Sequence, residues 1–341
     1  MKKLLRVIPH KQLLAIAKIV LAAGILAYIL VCEIDLDDIR QCITGMQWRY
    51  FCLGILIQWL VLALGTHRLQ ILLQAQDVQL SYWRTFAYNC IGFFFNLFAL
   101  GSTGGDVVKA YYISRETKHR KTESVTIVFL DRIMGLASVL IIAAGSLLAT
   151  LWLTEAFYPL IPYILLALLA VILAVMVIFT KNYWTRFSIM RRIRTYIPRM
   201  IRRIIGALHQ YREHKWNAIL ALLESIILQL GMCLVAWCFG TALGFGQPGY
   251  IYFIVLPLGT LIMALPLTPG GLGTGEYAFM KSFSQFGVAE DQSFSFMILL
   301  RMAQWSISLA GFFLWLLPGT HVTRRELAVE TEEIEHLEFA E

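Results

Sequence analysis

The sequence predicts an all-α polytopic membrane protein with about six spanning helices plus two re-entrant hairpins. Counted as spans, the hairpins bring the total to eight, arranged as an inverted-topology repeat. Three observations carry this expectation. First, 58% of the 341 residues are apolar and only 15% are charged, with a mean hydropathy of +0.67, whereas a soluble domain carries roughly a quarter charged residues. Second, the short loops alternate between basic and acidic. Third, two glycine-rich breaks, each closing on a carboxylate, sit in corresponding places in the two halves of the chain.

A span needs about 20 apolar residues, and the runs that supply them are 13–32, 51–73, 125–153, 159–180, 217–243 and 294–317. Two further apolar stretches, 85–100 and 250–267, each run into a glycine-rich break. The first run follows Lys2, Lys3 and Arg6, as a signal peptide would. Lys18 interrupts it and no small-x-small cleavage site precedes the acidic loop, so it is expected to be an uncleaved first helix. Nothing outside the runs is large enough for a soluble catalytic domain. The expected organisation is one integral-membrane domain over 1–320, with units at about 51–153 and 217–317, and a short acidic cytoplasmic tail over 321–341. The six cysteines form no C-x-x-C pair and no His-linked zinc spacing, and read as small apolar thiols in or near the membrane. Cys32 and Cys42 flank one loop and could pair, although nothing requires it.

Lys and Arg in short loops set orientation. The basic N-terminus and the acidic loop around Asp35, Asp37 and Asp38 send the first helix outward, and the second returns to His67-Arg68. The basic segment 115–121 places both ends of the 85–114 stretch on the inside, so that stretch crosses twice or dips in and returns. Residues 181–215 carry ten Lys/Arg against the single acid Glu213 and form the most basic loop. Within it, Ile189, Ile193, Ile197, Met200, Ile204 and Leu208 share a helical face largely opposite six arginines. Such a helix lies in the anionic inner interface, either as an anchor or to recruit lipid headgroups. The same alternation then sends 217–243 outward, dips 250–286 in from the outside, and returns 294–317 to a cytoplasmic tail. Each step of the second unit is thus the reverse of the first. The expected location is the inner (cytoplasmic) membrane, with both termini cytoplasmic.

The two breaks are Gly101-Ser-Thr-Gly-Gly-Asp106 and Pro269-Gly-Gly-Leu-Gly-Thr-Gly275-Glu276. Each is followed by an apolar helix with an arginine near its start: Arg132 lies 26 residues after Asp106, and Arg301 lies 25 after Glu276. Duplicated broken elements are what a transporter built from internal repeats shows. Carboxylates just after such breaks either cap the exposed N–H groups of the following helix or handle protons or cations beside an anionic headgroup held by freed N–H groups. Arg132 and Arg301 are expected to be buried. They either pair with Asp131, Asp106 or Glu276, or bind phosphate through the bidentate guanidinium fork. Asp131 has no counterpart, since Leu300 stands at the matching position, and it ranks below the other two acids. Pro266, Thr268 and Pro269 stop the descending helix and fix the turn, while Gly270, Gly271, Gly273 and Gly275 allow close backbone approach. The expected substrate-binding set is Gly104, Gly105, Asp106, Lys109, Arg132, Thr268, Pro269, Gly270, Gly271, Glu276 and Arg301. Asn89, Asn96, His67, Arg68 and Glu224 fit helix–helix hydrogen bonding better than transport. A P-loop is excluded, because no G-K-[ST] follows either break. No cofactor, metal or nucleic acid is implied.

Gly104-Gly-Asp-Val-Val-Lys-Ala-Tyr111, Leu130-Asp-Arg-Ile-Met-Gly-Leu136 and Pro266-Leu-Thr-Pro-Gly-Gly-Leu-Gly-Thr-Gly-Glu276 resemble the signatures of the lysylphosphatidylglycerol-synthase transmembrane, or flippase-like, family. The likeness covers roughly residues 10–320. It implies a polytopic inner-membrane protein that moves lipids or lipid-linked intermediates between leaflets. In the two-part synthases of that family this module is joined to a soluble aminoacyl-transfer domain, and only about two dozen residues, rich in glutamate from Glu326 to Glu341, follow the last helix here.

Three functions compete at this stage. The first is a lipid translocase for an anionic phospholipid or a polyprenyl-phosphate-linked lipid, and it is not an enzyme. The second is an integral-membrane headgroup transferase with Asp106 or Glu276 as general base. The third is an accessory scaffold for lipid- or glycan-modifying enzymes. The symmetric placement of the acids favours transport.

Overall fold

The computed structural model of the protein describes residues 43–98, 104–116, 121–149, 215–264 and 271–317, together with Arg40, Thr268 and positions 162, 165, 166, 168 and 169. Eight helices are defined there: α1 Trp48–Gln74, α2 Tyr82–Phe98, α3 Gly104–Glu116, α4 Lys121–Ala149, α5 Lys215–Ala242, α6 Tyr250–Ala264, α7 Thr274–Ser284 and α8 Glu290–Trp315. Among the described residues there is no strand. The apolar runs expected at 13–32 and 159–180, the basic loop 181–215 up to α5, and the acidic tail lie outside or almost wholly outside the described residues.

Four helices, α1, α4, α5 and α8, are long and apolar enough to cross a membrane. They turn large apolar side chains outward: Leu53, Leu56 and Leu60 on α1, Ile219, Leu223 and Ile227 on α5, and Leu309 and Phe313 on α8 are exposed. Contiguous apolar faces of this size suit a lipid solvent rather than water. Exposed Trp48 opens α1 and exposed Trp216 stands near the start of α5. These two helices are antiparallel. The Gln47 N–H donates to the Ala242 carbonyl across one end (2.8 Å), and the Asn217 side-chain amide reaches the Ile71 carbonyl at the other (3.4 Å). The two tryptophans therefore mark opposite ends of the bundle, as interfacial belts do.

The packing has an internal symmetry. Exchanging α1–α4 for α5–α8 in order leaves the set of substantial helix–helix interfaces unchanged. For example, α2 packs on α8 as α6 packs on α4, α3 on α4 as α7 on α8, and α1 on α5. Since α1 and α5 run in opposite directions, the two four-helix units are inverted with respect to each other.

Close approach of the short helices relies on glycine. A Cβ on Gly105 of α3 would lie 1.9 Å from the Gly92 carbonyl oxygen of α2, and one on Gly311 of α8 would lie 2.0 Å from the Cys90 carbonyl oxygen. The two cores differ in composition. Around unit one, aliphatic side chains such as Leu69, Leu72, Ile91, Ile113 and Ile127 dominate. Unit two is aromatic, with Phe245, Tyr252, Phe279, Phe283 and Phe296 in mutual contact and the Phe283–Phe296 centroids 5.0 Å apart, edge to face.

Candidate functional site

Both glycine breaks lead into short helices whose first turn carries the acid: Asp106 in α3 and Glu276 in α7. Both arginines are the twelfth residue of their long helices, about 16 Å along the axis at 1.5 Å per residue. Each acid meets the arginine of its own unit. Arg132 Nε lies 2.5 Å from Asp106 Oδ2. Arg301 donates to Glu276 Oε1 from Nε at 3.1 Å and from Nη2 at 3.0 Å.

The pairs are otherwise unlike. Glu276 and Arg301 are enclosed, with side chains 6% and 8% exposed. The second carboxylate oxygen of Glu276 accepts the Gly273 N–H at 2.7 Å, so one side chain both caps α7 and neutralises the arginine. Gly273 and Gly271 have φ of +80° and +70°, conformations that favour glycine. Thr268 is buried, and its hydroxyl bonds that of Thr274 at 3.0 Å, closing the turn. In unit one the cap is provided by another residue: the Gly105 N–H donates to Asn96 Oδ1 at 2.8 Å. Asp106 is thus left to face Arg132, whose side chain is 51% exposed. The expectation that both arginines are buried is corrected here. Arg132 emerges on the surface of α4 with its side chain half exposed.

A third charged group occupies the interior of unit one. Buried Asp131 accepts from Arg68 Nε at 3.0 Å and lies 2.8 Å from Arg68 Nη2. Arg68 Nη1 donates to Ser225 of α5 at 2.9 Å. Lys109, also buried, approaches the other Asp131 oxygen only to 3.8 Å. Nearby, His67 Nδ1 and Glu224 Oε1 are 2.7 Å apart. Arg68 therefore does not mark a loop. It stands six residues inside the end of α1 and joins α1, α4 and α5. The sequence signal for this group was the Asp131–Arg132 doublet within one apolar run, together with an arginine inside another.

Of the expected site residues, Gly104 and Gly105 form the buried start of α3, and Asp106, Lys109 and Arg132 gather around α3 and α4. Thr268, Gly271, Glu276 and Arg301 gather at the start of α7. Pro269 and Gly270 lie outside the described residues. Asn89 bonds Thr66 across α1 and α2 at 3.0 Å, in keeping with the helix–helix role expected of it. A cleft of about 520 Å³ opens elsewhere, at the α1–α2 turn beside Ser81, Arg84 and Glu116. Neither acid–arginine pair lines it.

A family model described as "Lysylphosphatidylglycerol synthase TM region" matches residues 15–311. A protein described as "UPF0104 membrane protein" from Methanothermobacter thermautotrophicus is 23% identical over 322 residues, covering 88% of this chain and 92% of that protein.

Proposed function

This chain belongs to the lysylphosphatidylglycerol synthase TM region family, and on that footing we propose that it is a lipid translocase. Its cargo is an anionic phospholipid or a polyprenyl-phosphate-linked lipid, moved between the leaflets of the inner membrane. One observation carries this reading. Two inverted units present an acid–arginine pair at the same depth, each beside a glycine-rich break. Inverted repeats with broken elements at the midplane are the architecture of alternating access.

The lengths support the hairpin reading. At about 1.5 Å per residue, α2 and α6 reach roughly 26 and 22 Å, and α3 and α7 roughly 20 and 17 Å. None of the four matches a hydrocarbon layer about 30 Å thick. On this reading each pair descends and turns back, and irregular backbone at that depth requires burial in protein or a wet cavity. Both termini are then cytoplasmic.

In this mechanism the carboxylates balance the charge of the arginines while the site is empty. A lipid phosphate competes for the guanidinium of the half-exposed pair, and exchange of partners accompanies rocking of one unit against the other. The acid released in that step takes up a proton or cation.

The test is transfer of a fluorescent phosphatidylglycerol between leaflets in liposomes holding only the purified protein. Transfer without any donor substrate supports the translocase. Chemical alteration of the headgroup without transfer means a transferase instead. Neither outcome, from folded protein, means a scaffold for lipid- or glycan-modifying partners.

A further inference from the structure

We propose that unit one alone holds the anion site, and that Lys109 binds a phosphodiester monoanion there with Arg132 alongside. The proposal deepens the translocase reading and rests on it. It assigns different tasks to two units that the sequence makes look alike.

The observation is a largely enclosed lysine whose ammonium makes no hydrogen bond among the described residues. Lys109 is 9% exposed, and its nearest acid, Asp131 Oδ2, is 3.8 Å away, beyond hydrogen-bond reach. Asp131 is already engaged by Arg68 through two guanidinium nitrogens. Asp106 is engaged by Arg132. Both acids are thus committed to arginines, and Lys109 is left with one distant carboxylate oxygen. A phosphodiester carries one negative charge and the acceptor oxygens that a three-donor ammonium requires. Gly92 lies beside the Lys109 stem, where an added Cβ would stand 3.5 Å from Lys109 Cε and 3.2 Å from the Gly105 carbonyl oxygen.

Unit two shows what this position looks like without a ligand to hold. Phe279 stands three residues after Glu276, where Lys109 stands three after Asp106. Leu300 precedes Arg301 as Asp131 precedes Arg132. Phe279 and Leu300 are both buried in the aromatic core. An apolar pair is the less costly filling for such a place, because buried charges lose their hydration. Adhesion of α3 to α4 does not need the ions either, since Val108, Tyr112 and Ile113 already share an apolar cluster with Ile127, Val128 and Met134. The enclosed Glu276–Arg301 pair, with both carboxylate oxygens occupied, is then a latch that fastens α7 to α8.

The experiment measures binding of dihexanoyl-phosphatidylglycerol, dihexanoylglycerol and inorganic phosphate to the purified full-length protein. Thermal melting monitors folding in each case. The phosphodiester lipid is expected to bind and the phosphate-free lipid not to. Lys109→Gln should weaken the phosphodiester lipid about tenfold or more, as loss of a charge-assisted contact does. Lys109→Arg should retain most of the affinity, and it keeps the test valid if the glutamine variant fails to fold. Unchanged binding to folded Lys109→Gln overturns the proposal, and so does equal binding of the phosphate-free lipid. Competition by inorganic phosphate at the concentrations where the lipid binds assigns the site to a free ion and overturns the lipid source. Lysine-dependent binding without transfer in liposomes would sink the translocase and leave this site standing. Transfer unaffected by Lys109→Gln would do the reverse.

Discussion

Glu276 and Asp106 occupy equivalent places in the sequence, but removing their charges should have unequal consequences. Glu276→Gln leaves Arg301 charged in an enclosed site (8% exposed). Breaking a buried pair from one side costs about 3–5 kcal/mol. Asp106→Asn leaves Arg132 half exposed, and where that face opens to the wet cavity of the proposed translocase an ion pair contributes no more than about 1 kcal/mol. Melting in the same detergent should therefore drop strongly for Glu276→Gln and little for Asp106→Asn. Equal shifts would mean that the difference in burial does not govern the pairs. The repeated spacing singled out the acids and arginines but left pairing or phosphate binding open, and each acid pairs with the arginine of its own unit. It did not show which pair is closed, because that depends on Asn96 taking over the cap in unit one. Arg68 and Asp131 were legible as charges in apolar runs, but their meeting requires the antiparallel contact of α1 with α5 and α4.

At the scale of elements, the apolar runs located α1, α4, α5 and α8 to within a few residues, since hydropathy over 20 positions is a strong signal. The short helices were legible mainly through what interrupts them. What the sequence left open is how closely they pack. The Gly105 position lies against the Gly92 carbonyl, an obstacle made of backbone that no rotamer change removes. Gly105→Ala should push α3 away from α2 and cost about 1–3 kcal/mol, the usual range for overpacking. Gly145→Ala, on α4 with nothing within 4 Å of the added carbon, is the control. Comparable melting temperatures for the two variants would refute the close crossing.

At the scale of the whole molecule, the inverted arrangement was legible from two unrelated signals, loop charge and motif spacing. The exchangeable helix interfaces and the antiparallel α1–α5 contact accord with both. The loop charges alone give sidedness, with the expectation that positions 115–121 lie inside and the start of α8 outside. Single cysteines introduced at positions 118 and 290, in a cysteine-free background, should then react with an impermeant thiol reagent from opposite sides of oriented vesicles. Reaction from the same side would contradict the inversion.

The central claim is that the two inverted units move lipid, with the half-exposed Asp106–Arg132 pair meeting the cargo and the Glu276–Arg301 pair holding unit two together. The most direct measurement is the transfer rate of fluorescent phosphatidylglycerol in liposomes carrying equal amounts of folded parental protein or its Asp106→Asn/Glu276→Gln variant. Should the doubly neutralised protein fold poorly, Asp106→Asn alone is measured, since its partner is half exposed. The account predicts transfer by the parent and a fall to the rate of protein-free liposomes in the variant. Parental transfer at the protein-free rate, or a folded variant that transfers lipid as fast as the parent, would contradict it.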